Sequence, residues 1–63
     1  MHSESASLAS LATQLSELTD RTVATGERLN AGSTADVAAG LFEVERALRS
    51  ALRALERARR QLD

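Results

Sequence analysis

The second half of the chain carries a repeat of apolar residues that constrains the fold more than any other feature. Spacings of four and three alternate without interruption through Val37, Leu41, Val44, Leu48, Ala51, Leu55, Ala58 and Leu62. This period is close to that of an α-helix, so it predicts one long helix with an apolar stripe. Ala47, Ala54 and Leu52 widen the stripe beyond what one neighbouring helix covers, which favours a bundle over a two-stranded coil.

The first half of the chain predicts a second helix with a less apolar stripe. Four leucines recur at spacings of three, four and three residues, namely Leu8, Leu11, Leu15 and Leu18. The same stripe continues into Thr22 and Thr25, so it becomes polar in its last third. Ser3 or Ser5 can cap the start of this helix through a side-chain oxygen.

A short break separates the two predicted helices. Gly32 can adopt the left-handed conformation that closes a helix, and Ser33 can cap the next helix with Asp36 three residues later. A stop signal so close to a start signal predicts an antiparallel hairpin. The expected elements are helix 1 at about 4–30, a turn at 30–33 and helix 2 at about 34–62, all within a single domain of residues 1–63. Folding about residue 32 would pair positions whose numbers sum to about 64.

Sixty-three residues are few for a core that stands alone, and the chain has no Cys to form a disulfide. A lone hairpin also leaves one side of each apolar stripe in water, so association is the remaining way to bury more area. We therefore expect an all-α, coiled-coil-like hairpin that pairs into a homodimeric four-helix bundle. The residues expected to mediate self-association are Leu41, Leu48, Leu52, Leu55 and Leu62.

Arginines follow one face of the second helix, opposite the leucines. Within an arc of about 80° lie Arg46, Arg49, Arg53, Arg57 and Arg60, whereas Arg59 departs toward the apolar side. The simplest interpretation is a solvated face with cations near a helix C-terminus. The functional alternative is an anionic partner, which would be an acidic protein surface, nucleic acid phosphates or lipid headgroups. The whole chain has a net charge of −1, which argues against a general affinity for nucleic acid.

Phe42 is the single aromatic residue, and helical geometry places it at the N-terminal end of the arginine stripe. One interpretation is that the ring lies along Arg46 or Arg49 and is shielded by them. The other is that it is an exposed anchor for a partner, because an aromatic residue surrounded by Arg is a common composition of binding hot spots. Both interpretations stay open from the sequence.

The sequence has no pattern that predicts catalysis, a cofactor or a metal site. The single His is His2, at a terminus without supporting partners, and helical metal sites combine inward-facing Glu with His. We expect the carboxylates to pair with Arg one turn away instead, Glu45 with Arg49 and Glu56 with Arg60. An enzyme is therefore not expected.

These features favour a small interaction or regulatory module that acts through self-association and a helical Arg/Phe face. Its expected partners are a second copy, a larger protein or both. The alternative is a nucleic-acid-associated protein that uses the arginine stripe, and a peripheral membrane helix is a weaker third hypothesis. No apolar run is long enough to span a bilayer, and the N-terminus lacks the features of a secretory signal, so we expect a cytoplasmic protein. All eight basic residues are Arg, whose codons are GC-rich, which favours a bacterial source.

Overall fold

The computed structural model describes residues 4–62, which form two long helices packed against each other. Its elements are helix α1 at Glu4–Leu29, a 3-10 turn at Gly32–Thr34 and helix α2 at Ala35–Leu62. The expected all-helical architecture of two packed helices is confirmed. The proposed cap Ser3 and the lone His2 lie outside the described residues.

The turn between the helices depends on Gly32 and Thr34. Gly32 has a φ of 59°, the left-handed conformation predicted for it, which a side chain would disfavour. The hydroxyl of Thr34 donates to the carbonyl of Leu29 at 2.6 Å and lies 3.0 Å from that of Ala31. Ser33, the predicted cap, is instead an exposed member of the 3-10 turn. The Thr34 hydroxyl bonds to carbonyls at the end of α1 and in the turn, so it closes α1 rather than capping α2.

Contacts across the hairpin indicate which residues of the two helices face each other. Gly26 of α1 contacts Phe42 of α2, and at the open end Leu8 lies beside Arg59. Facing positions therefore have numbers that sum to about 67 or 68, rather than the predicted 64. The contact of Gly26 with Phe42 departs from the predicted pairing by about one helical turn.

The two helices meet along a column of small residues. Ala12, Thr19 and Gly26 recur every seven residues on α1 and are buried, as is Ala38 on α2. The buried Thr19 hydroxyl donates to the carbonyl of Leu15 at 2.7 Å, so its burial leaves no unpaired donor. At the turn end of the column, Gly26 receives the Phe42 ring of α2, and farther along Ala12 lines a groove with Leu52. Small residues on one helix thus receive large residues of the other.

The hairpin is a single layer of helices. The Cα atoms extend over 51 × 14 × 9 Å, so the thickness is that of one helix. Domains usually bury their helical stripes between two layers. Here, among residues 4–62, no large side chain is fully buried. Both broad sides of the hairpin are therefore open surfaces.

Candidate functional site

One broad side of the hairpin carries four exposed large apolar side chains. Leu11 and Leu18 on α1 are 48% and 46% exposed, and Val37 and Val44 on α2 are 54% and 44% exposed. At about 100° per residue, each pair turns to one flank of its helix, and because the helices run in opposite directions the two flanks coincide. We call these four residues the apolar face.

The sequence predicts that α2 packs through the repeat that contains Val37 and Val44. In the structure, α2 packs on α1 through a neighbouring stripe, and this leaves the apolar face exposed. The predicted repeat and the observed contact share Leu41, Leu48, Leu55 and Leu62, all half-buried. The remaining positions of the contact are Ala38, Glu45, Leu52 and Arg59, all buried or half-buried. The remaining positions of the predicted repeat are Val37, Val44, Ala51 and Ala58, and all four are exposed. The helix therefore turns charged residues inward while valines and alanines face outward.

The charged residues in the seam are tolerated because each has an ion pair on its own helix. Glu45, whose side chain is 24% exposed, accepts hydrogen bonds from Arg49 at 2.8 Å. Arg59, with 36% of its side chain exposed, pairs with Glu56 at 3.0 Å. Their long stems cover apolar surface while the charges reach water. The predicted pair of Glu45 with Arg49 is confirmed, whereas Glu56 pairs with Arg59 rather than Arg60, because Arg59 lies at the seam edge beside it.

The residues predicted to mediate self-association are thus mostly committed within the chain. All five of those leucines are half-buried at the seam, so their role in association stays a prediction. Leu11 and Leu18 are predicted on the apolar stripe of helix 1, but not among the residues expected to mediate self-association. The spacing of seven residues among Ala12, Thr19 and Gly26 could have found them, since a small-residue column marks the close contact and leaves the leucines beside it exposed.

The opposite broad side is polar. A shallow groove between the helices is lined there by Thr13, Ser16, Asp20, Leu52 and Glu56. Near the turn, the ring of Phe42 is half-buried and packs across the hairpin on Gly26. The ring is therefore partly committed to the fold, and both interpretations made from the sequence stay predictions.

The arginine surface runs along the outer side of α2. It comprises Arg46, Arg49, Arg53, Arg57 and Arg60, all of them exposed. Within residues 4–62, Arg49 is the one member that forms an ion pair. The exposed acidic residues Glu17, Asp20 and Glu27 of α1 form no ion pair in the same range. Basic charge on α2 and acidic charge on α1 are thus both available to other molecules.

The described helices show neither a metal-binding cluster nor a membrane span. Among residues 4–62 there is no group of three or more His, Cys, Asp or Glu side chains that could hold a metal ion. Neither described helix is long and apolar enough to cross a membrane. Comparisons with protein-family models, with curated proteins and with solved structures return no match to this chain. Any functional argument therefore depends on the surfaces of the hairpin.

Proposed function

We propose that this chain is a small non-enzymatic interaction module that self-associates through its apolar face and presents the arginine surface to a larger partner. The observation that supports the proposal is which face of α2 packs against α1. Glu45 and Arg59 occupy the contact with α1, although Val37 and Val44 offer more apolar alternatives at neighbouring positions. A local arrangement that opposes simple burial is expected where a surface is kept for function. A second helical layer on the apolar face would complete a four-helix bundle.

A substitution on the apolar face tests self-association. Leu18→Glu should weaken association by more than about 100-fold, because a carboxylate buried in an apolar interface costs several kcal/mol. The matched control is Ser16→Glu, which adds the same side chain on the polar side and should change association less than about threefold. Light scattering after size-exclusion chromatography measures both. If both variants weakened self-association equally, the apolar face would not be the self-association surface.

The arginine surface is the proposed contact for a partner of opposite charge. Four of its five members have no ion pair within residues 4–62, so their hydrogen-bond donors are available to carboxylates. An acidic protein surface is favoured over nucleic acid because the chain as a whole is slightly acidic and the surface includes no exposed stacking aromatic. Nucleic acid is the second candidate, supported by the same row of exposed arginines.

Fluorescence anisotropy with two probes separates these candidates. A labelled poly-glutamate peptide should bind at low salt, and Arg53→Gln should weaken that binding more than Arg21→Gln, which removes an equal charge from α1. A labelled DNA duplex of equal charge should bind more weakly than the peptide. Preferential binding of the duplex, with affinity that falls steeply as salt rises, would replace the acidic partner with nucleic acid. Binding of neither probe would contradict the role of the arginine surface.

A further inference from the structure

We propose that the apolar face is covered by a second copy of this chain, with the turns of both copies at the same end of the bundle. This inference rests on the proposed function, because it specifies the geometry of the same self-association. In this arrangement a two-fold axis runs along the hairpin, and α1 of one copy lies over α2 of the other. In the alternative, the turns lie at opposite ends and each helix covers its own counterpart.

The exposed area supports a partner of the size of one more hairpin. The chain exposes 4641 Å² of surface. A compact monomeric protein of this mass exposes about 3,900 Å², which leaves an excess of about 700 Å². A standard protein interface buries about 800 Å² on each partner. The excess is therefore close to what one copy would cover on another.

Side-chain size favours the arrangement with the turns together. If facing positions sum to about 68, as Gly26 and Phe42 do, Leu11 would lie within one turn of Ala58 of the partner subunit and Leu18 within one turn of Ala51 of the partner subunit. Each leucine of the apolar face would then meet an alanine, so the two layers could pack at an even separation along that part of the interface. With the turns at opposite ends, Leu18 meets leucine of the other α1, while Ala51 meets alanine of the other α2. In that interface, leucines would hold the two α1 helices apart, and the alanines would leave a gap between the two α2 helices.

The charges at the rim are compatible with the same arrangement. Exposed Arg21 and Arg28 of α1 then lie within one helical turn of the partner's Glu43 and the partner's Asp36. The opposed arrangement would instead place Glu43 near the partner's Arg57. Exposed pairs of this kind contribute little free energy. Packing of large against small residues, rather than charge, therefore distinguishes the two orientations.

Distances between spin labels test the orientation directly. The chain has no Cys, so Ser33→Cys places one label at each exposed turn. Turns at the same end should give a label separation below about 30 Å, since packed helical layers lie about 10 Å apart. Turns at opposite ends would separate the labels by a distance near the 51 Å length of the hairpin. Ser50→Cys, at the middle of α2, is the matched control and should give a short distance in either dimer.

The possible outcomes separate this inference from the proposed function. Short distances at both positions support the arrangement with the turns together. A short distance at residue 50 with a long one at residue 33 would overturn the orientation while leaving self-association intact. The absence of any inter-chain distance at either position, together with a monomeric mass, would overturn both.

Discussion

The contact between Gly26 and Phe42 is the residue-scale feature that fixes how the helices meet near the turn. A Cβ at position 26 would lie 2.9 Å from Cε1 of the Phe42 ring, closer than packed carbon atoms normally approach. The position is buried and helical, where alanine would otherwise be favoured over glycine. Glycine at this position therefore gives up helix propensity to make room for the ring.

A double-mutant cycle tests this account of residue 26. In the native background, Gly26→Ala should destabilise the protein by about 1 kcal/mol, because displacing the ring outweighs the gain in helix propensity. In a Phe42→Ala background the same substitution should stabilise it by about 0.5–1 kcal/mol, because the ring is gone. Urea unfolding followed by circular dichroism measures both. The same sign of effect in both backgrounds would contradict a direct contact between the two residues.

Phe42 illustrates which site features can be predicted from sequence. Helical periodicity correctly placed Phe42 beside the arginine surface, because angular position on a helix depends only on residue number. Its contact across the hairpin depends on the register with α1. That register follows from the 3-10 turn at Gly32–Thr34, whose local hydrogen bonds are not visible in a hydrophobic pattern.

At the scale of elements, the turn and the choice of stripe on α2 determine the surface of the hairpin. The existence of two helices was predictable, because long apolar repeats and the Gly32 stop signal agree. Which stripe of α2 would pack on α1 was not predictable, because two overlapping repeats of α2 share the same four leucines. The buried column of Ala12, Thr19 and Gly26 selects the repeat that contains Glu45 and Arg59. Sequence periodicity alone favours the repeat that contains Val37 and Val44, because that repeat is more apolar.

The turn gives a prediction at this scale. Thr34→Val keeps the shape of the side chain but removes the hydroxyl that bonds to Leu29, so it should destabilise the protein by about 1 kcal/mol. Ser33→Ala is the matched control and should change stability by less than about 0.5 kcal/mol, since Ser33 is exposed. Thermal unfolding compares the two variants. A larger loss from Ser33→Ala would restore Ser33 as the cap.

At the scale of the whole molecule, the hairpin lacks the second layer that usually completes a helical domain. Its thickness of 9 Å and the absence of a fully buried large side chain among residues 4–62 describe a single helical layer. Chains of this size without a disulfide commonly gain stability by association. The proposed second copy supplies that layer without any change in the hairpin itself.

Coupling between folding and association predicts that thermal stability depends on concentration. A tenfold rise in protein concentration should stabilise a dimer by about 1.4 kcal/mol and raise its Tm by about 5 °C. Scanning calorimetry at several concentrations checks this expectation. Leu18→Glu should abolish the dependence, and Ser16→Glu should retain it. A Tm that does not change with concentration would indicate that the hairpin is stable alone.

Sedimentation equilibrium of the unmodified chain, from about 1 to 100 µM, most directly tests whether the apolar face is covered by a second copy. If a second copy covers the apolar face, the mass should shift reversibly with concentration toward twice the 6.7 kDa of the chain. A folded species that keeps the 6.7 kDa mass across the whole range would contradict it.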